Sequence, residues 1–236
     1  MEVYELRWYQ VAAGRMGDLH RRMRDIVPPL FARNGIPAPL AIWEAVAAPA
    51  LPAYIYLLRW PSMRDREIAF DRQYADRDRP PTRDAHGQEI TTRVHLSFLR
   101  PADCWPAFAE KGDAGPVGGV HELTIQRVAN RRLAEAERSL KDVDLPLLAA
   151  KKARVLGIFE GWVGLPRPSL VHMIAWPDLE TRAAAQAHHA SHPSTHAARA
   201  REAEVEGRPL FCGADVFLLR PIDYGMPRPS FGHYDR

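Results

Sequence analysis

VYELRWY, residues 3–9, decides how this chain is read, because VHELTIQ at residues 120–126 writes it again. In an extended strand successive side chains point to opposite faces, so Tyr4, Leu6 and Trp8 share one face and Val3, Glu5, Arg7 and Tyr9 the other. A face carrying an acid, a guanidinium and a phenol predicts a strand that lines a polar cavity. The echo keeps the acid as Glu122 but has Thr124 for Arg7 and Gln126 for Tyr9, so cavities lined by the two copies would differ chemically.

The same order of elements follows each copy. Met16, Leu19, Met23, Ile26, Val27 and Leu30 fall at helical spacing; Pro28 and Pro29 predict a kink or an end, and Asn34-Gly35 a stop. Ile36 to Ala47 and Ala53 to Trp60 read as strands, the second covered on both faces because it barely alternates. Ser62 caps a second helix with Asp65 in its first turn, and Arg93 to Leu99 is a fourth strand. Glu5-Leu6 matches Glu122-Leu123 and Pro29-Leu30 matches Pro146-Leu147 at an offset of 117. Trp60-Pro61 matches Trp176-Pro177 at 116, and Leu99-Arg100-Pro101 matches Leu219-Arg220-Pro221 at 120. Ordered matches at a nearly constant offset mark an internal repeat, and each copy reads β-α-β-β-α-β, the ferredoxin-like unit. A four-stranded sheet with helices on one side leaves its other side bare. The expected fold is therefore α+β: two ferredoxin-like repeats, 1-103 and 120-223, closing on each other as an intramolecular dimeric-type α/β barrel with a pocket between the sheets. A Gly- and Pro-rich linker, 104-119, joins them, and an extended tail, 224-236, follows.

Composition excludes several classes. An apolar fraction of 46% over 236 residues fits a globular chain. The most apolar window, Ala41 to Leu58, is broken by Glu44, Pro49 and Pro52, so no membrane span is expected. MEVYELRWYQ opens with charge and alternation, unlike a secretory signal. Two cysteines without regular spacing, Cys104 and Cys212, fit a reducing compartment, and the expected location is cytoplasmic. A net charge of +3 with Arg and Asp interspersed describes a mixed surface, with no nucleic-acid partner expected. Association into a homodimer is left open.

These residues resemble the NIPSNAP family of the dimeric α/β barrel superfamily. VYELRWY is similar to that family's first strand and PLFARNG, residues 29–35, to its helix end. WPSMRDR at 60–66 and WPDLETR at 176–182 repeat its third-strand motif, whose His falls on Tyr56 in the first copy and on His172 in the second. The resemblance implies small-molecule handling in bacterial members and membrane or partner association in animal ones. The superfamily spans cofactor-free monooxygenases, isomerases, lyases, aldoxime dehydratases and haem proteins.

The candidate chemistry centres on His172, which shares a strand face with Ile174 and Trp176. An imidazole in an apolar barrel titrates near neutrality and can act as general acid or base, or be a buried structural donor. Glu5 and Arg7 can form an ion couple that positions a substrate carboxylate or enolate, or a structural salt bridge. Tyr9 and Tyr56 can donate to a substrate oxygen or simply pack. Trp43, Trp60 and Trp176 read as core or as an aromatic wall for a planar substrate, with Glu122 and His189 at its polar edge. His188, His189, His192 and His196 have ligand-like spacing, yet Pro193 interrupts a continuous helix and no acidic fourth ligand lies near, so no metal is assigned. Arg66 and Arg182 read as structural partners of carbonyls or carboxylates. GxGxxG, a P-loop and a nucleophile elbow are absent, and no cofactor is expected. The expected activity is acid/base chemistry on a largely apolar or aromatic small molecule, of isomerase, lyase or hydratase type, with His172, Glu5, Arg7, Tyr9 and Tyr56 in the catalytic roles. The alternatives are a non-catalytic NIPSNAP-type binding protein and a haem or metal protein using His172 or the His188 to His196 cluster.

Overall fold

The structure is a computed structural model of the 236-residue chain and describes residues 1–81, 87–105, 119–205 and 207–225. Most of the expected linker and tail lies outside the described residues. In the first half, β1 (Val3–Val11) is followed by a helix in three pieces: α1 (Met16–Arg21), a π-helical turn (Arg22–Ile26) and α2 (Val27–Asn34). Then come β2 (Ala41–Ala47), β3 (Ala53–Trp60), α3 (Met63–Ala75) and β4 (Thr91–Pro101). The second half repeats this as β5 (Val120–Val128), α4 (Leu133–Ser139), a π-helical turn (Leu140–Asp144), α5 (Leu145–Ala149), β6 (Arg154–Val163), β7 (Ser169–Trp176), α6 (Leu179–Ser191), α7 (Pro193–Glu204) and β8 (Phe211–Pro221).

Pro28 and Pro29 do not end the first helix, which continues through them. Lacking N–H groups, they leave the carbonyls four residues earlier without partners, and the helix widens to a π-turn just ahead of them. Pro146 follows the second π-turn in the same way. Gly35 ends α2 in the left-handed conformation at φ 78°. Ser62 and Asp178 cap α3 and α6 through Asp65 N–H and Thr181 N–H. The break between α6 and α7 falls at His192, ahead of Pro193.

All eight strands pair antiparallel in one closed barrel, in the order β1-β3-β2-β8-β5-β7-β6-β4. Each half supplies four neighbouring strands, and the seams between halves are β2 with β8 and β4 with β6. The register preserves the repeat: Arg7 lies opposite Tyr56 and Thr124 opposite His172, while Trp43 faces Pro221 and Phe159 faces Pro101. Closure leaves none of these strands with a free edge, so further association would have to use the helices or loops. No helix among the described residues is long and apolar enough to cross a membrane.

Alternation along β1 sends Tyr4, Leu6 and Trp8 into the barrel, where Leu6, Leu57, Leu123, Ile125 and Phe217 pack together. Glu5, Arg7 and Tyr9 point the other way, toward the helices, and their neighbours Tyr54, Tyr56, Leu58 and Trp60 pack with Leu19, Phe31 and Phe70. The hollow between the sheets is about 200 Å³, lined largely by Leu6, Trp8, Ile55, Leu123, Ile125 and Phe217. This corrects the expectation that the polar face of the first strand lines the barrel. The barrel interior is mainly apolar, with His95, Ser97 and Asp215 also on its lining, and the Glu5 and Glu122 faces lie between each sheet and its own helices.

Where the first half hands over to the second, the Cys104 backbone N–H donates to Glu137 of α4 at 3.3 Å. Burial, then a hydrogen bond and repulsion from Glu160, push the Glu137 carboxyl up from its ordinary 4.5 to about 7. Its folded pKa lies above the unfolded one, so its contribution is intact below about pH 4.5 and is lost as pH rises toward 7. Wild-type stability is expected to fall by about 1–3 kcal/mol more than that of Glu137→Gln between pH 5 and pH 8. Urea midpoints of both proteins at the two pH values check this; parallel losses would show that Glu137 ionises freely.

Candidate functional site

Each sheet–helix layer is built around a Glu–Trp–Arg triad. In the first half the Glu5 carboxylate, fully buried, accepts from Trp60 Nε1 at 2.9 Å and from Arg66 Nε at 3.0 Å and Nη2 at 3.1 Å. In the second, Glu122 accepts from Trp176 Nε1 at 3.0 Å and from Arg182 Nε at 2.7 Å. The tryptophans close their strands and the arginines lie in the second turn of the following helices. The repeated WPxxxxR spacing thus delivers both donors to the acid on the neighbouring strand. Arg66 and Arg182 take the structural role expected of them.

The two layers differ at the centre. In the first, Arg7 fills the space: it donates to Glu5 through Nε at 2.8 Å, packs 4.3 Å over the Phe70 ring and lies 3.4 Å from the Tyr9 and Tyr56 hydroxyls, which are 2.7 Å apart. Burial disfavours the Arg7 charge, but Tyr56, Tyr9 and Glu5 outweigh it and hold the guanidinium above its ordinary range. Burial, then the neighbouring Tyr9, raises the Tyr56 phenol well above its usual value, so it is a neutral donor.

In the second layer Thr124 replaces Arg7, and a cavity of about 240 Å³ opens between β5, β7, β8 and the helices. Its apolar wall includes Leu140, Leu148 and Phe211; its polar wall includes Glu122, Thr124, His172 and Asp144. The π-turn carries Leu140 and Asp144 onto this wall, a recurrent use of such turns. Asp144 accepts from Arg199 and is 2.7 Å from His189 Nε2. Arg199 also donates to Glu202 at 2.8 Å and to Ser139 at 2.8 Å. His172 is 9% exposed, and its Nδ1 is buried with no hydrogen-bond partner among the described residues. Burial lowers its pKa, opposed in part by Glu122 and Asp144, so the imidazole is neutral at pH 7.

The structure therefore divides the expected site. His172, Glu122, Trp176 and His189 belong to the second layer; Glu5, Arg7, Tyr9, Tyr56 and Trp60 belong to the first. β1 and β5 stand on opposite sides of the barrel, separated by three strands in either direction, so the two sets cannot act on one molecule. Trp60 and Trp176 are 1% exposed and form no wall for a ligand. Trp43 points into the barrel and donates to His121 Nδ1 at 2.8 Å. His189 turns inward to Asp144, whereas His188 and His192 meet at the surface with rings 5.2 Å apart. Among the described residues no group of three or more His, Cys, Asp and Glu is placed to hold a metal. The cavity is below the range that accommodates drug-sized ligands, and a haem does not fit it as it stands. Asp144, Arg199 and Glu202 were not singled out by the sequence. The available signal was Asp144 itself, a carboxylate at an apolar helical position where the first copy has Val27.

No family model matches this chain, and no curated protein matches it. Solved structures of the same architecture do. An anthrone oxidase-like protein superposes with a TM-score of 0.60 at 15% identity, covering 94% of this chain and 92% of that one. A candidate monooxygenase of Fusobacterium nucleatum gives 0.56 at 8% identity over 94% and 93%. A candidate chlorite dismutase gives 0.55 at 14% identity over 95% and 97%. The chain has the dimeric α/β barrel fold, formed here by two repeats in one polypeptide.

Proposed function

We propose that the chain is a small-molecule enzyme that works by proton transfer in the cavity of its second half, with His172 as the base. The observation that carries this reading is the neutral imidazole of His172, largely buried, on the wall of a cavity that also holds two carboxylates. Leu140, Leu148 and Phe211 would take the apolar body of the substrate. Its polar end would meet Glu122, which Trp176 and Arg182 hold in place. His172 removes a proton and returns it to another atom of the same molecule, or the substrate loses a leaving group, which makes the reaction an isomerisation or elimination needing no organic cofactor. Oxidase and monooxygenase names among proteins of this fold are compatible with chemistry that begins by proton abstraction. Kinship with the NIPSNAP proteins is part of this proposal, supported by the two WPxxxxR segments and VYELRWY, which build the paired triads.

Solvent deuterium incorporation tests the proposal without knowledge of the product. A panel of small aromatic and aliphatic compounds with an acidic C–H is incubated with the protein in D2O and followed by proton NMR. His172→Gln is expected to slow exchange by about 10²–10⁴-fold, and the wild-type rate should fall as pH drops through a His172 pKa below 6.5. A panel member that binds yet exchanges equally fast with wild type and variant would remove His172 from the chemistry.

A further inference from the structure

The repeat supplies an internal template for the ligand. In the first layer Glu5 Oε1 takes a two-pronged interaction from Arg7, with Nε at 2.8 Å and Nη2 at 2.7 Å. The same guanidinium faces Phe70 and the Tyr56 hydroxyl. The second layer keeps the receiving acid and both of its other donors, but the matching positions are Thr124 for Arg7, Gln186 for Phe70 and His172 for Tyr56. Among the described residues Glu122 Oε1 is left with Thr124 Oγ1 alone, at 3.2 Å. The volume that Arg7 fills in one repeat corresponds to open cavity in the other.

Charge points the same way. Around Glu5 stand one carboxylate and two guanidiniums, Arg7 and Arg66. Around the cavity stand two carboxylates, Glu122 and Asp144, against two guanidiniums, Arg182 and Arg199. The second layer lacks the buried cation of the first, and His172 lines the cavity where Tyr56 stands in the first layer.

We propose that the second-half cavity binds a small cation of amidinium or guanidinium type, its N–H groups standing on Glu122 and His172 where the Arg7 guanidinium stands on Glu5 and Tyr56. This deepens the reading above by naming a ligand class; it rests on that cavity being the site and does not require His172 to act as a base.

Benzamidine and methylguanidine are the probes, with benzamide as the uncharged shape control, followed by calorimetry and by the His172 side-chain NMR signals. Benzamidine is expected to bind with a Kd of about 1 mM or tighter, at least about tenfold better than benzamide. Thr124→Arg should supply the cation internally and abolish binding, and Glu122→Gln should weaken it by about tenfold or more while leaving Trp176 and Arg182 a partner. If Thr124→Arg does not fold, the Glu122→Gln comparison decides. Equal binding of benzamide, binding undiminished in Glu122→Gln, or no saturable binding of either cation overturns the proposal. Wild type separates the two readings: saturable cation binding with no deuterium exchange of any panel member leaves this inference standing and sinks the base. Exchange of neutral compounds without cation binding does the reverse.

Discussion

Glu5→Ala is expected to cost about 3–5 kcal/mol of folding stability, a large share of what a domain ordinarily has. The loss comes less from the bonds broken than from what they leave behind. Glu5 is fully buried and receives Trp60, Arg66 and Arg7. Arg66 is 18% exposed and can turn to water, but Arg7 is closed in by Phe70, Tyr9 and Tyr56, none of which replaces the lost carboxylate. A buried guanidinium without its carboxylate is the expensive outcome. Glu122→Ala removes the equivalent acid and unpairs the Trp176 N–H and the Thr124 hydroxyl, but the charge it strands is Arg182, which is 22% exposed and borders a cavity that water can fill. Its expected cost is about 1–3 kcal/mol. Urea denaturation of the two variants side by side measures the contrast, and equal losses would show that the Arg7 charge finds another way to solvent.

That contrast also marks how far the sequence could be read. The doubled fold was legible because its markers are rigid: Glu-Leu in each first strand, Trp-Pro at each third-strand end, and Leu-Arg-Pro at the end of β4 and β8 recur in order and fall in matching register. The caps at Ser62 and Asp178 were legible for the same local reason. The direction of the strand faces was not. Alternation in VYELRWY says that two faces differ, and both of them are buried here, one against the opposite sheet and one under helices. Polarity alone suggested that charge faces the hollow. What decides is that Arg66 on α3 can reach Glu5 only on the helix side, a contact 61 residues apart in sequence. The site was misjudged for the same reason. His172 and Glu122 were each legible as candidate site residues, but joining them to Arg7 and Tyr56 required one cavity where the barrel makes two separate layers. Asp144 and Arg199 meet from helices 55 residues apart, and no local pattern announces that. His189 was picked from a run of histidines for its spacing, and the helix turns it inward because its neighbours on that face, Ala185 and Gln186, pack toward the sheet and cavity.

The seam between the halves carries the second large effect: Trp43→Ala is expected to destabilise the whole chain by about 3–5 kcal/mol, and Trp43→Phe by about 1–2 kcal/mol. Trp43 is 1% exposed on β2, opposite Pro221 of β8, and its indole N–H reaches His121 on β5, so one side chain touches three strands from both repeats. Its counterpart at the other seam, Phe159 opposite Pro101, packs with Tyr4 at 4.7 Å and Trp105 at 4.9 Å without a polar bond. Alanine at Trp43 leaves a void that a closed barrel cannot collapse, because moving β2 inward would break its ladders to β3 and β8 together. Phenylalanine keeps most of the volume and removes only the donor to His121. Since both halves share the barrel interior, the loss should not stay local. Native-state hydrogen exchange is expected to show β1 and β5 amides losing protection by the same free energy in Trp43→Ala. Loss confined to residues 1–105 would mean that the repeats hold their own cores and only touch at the seam.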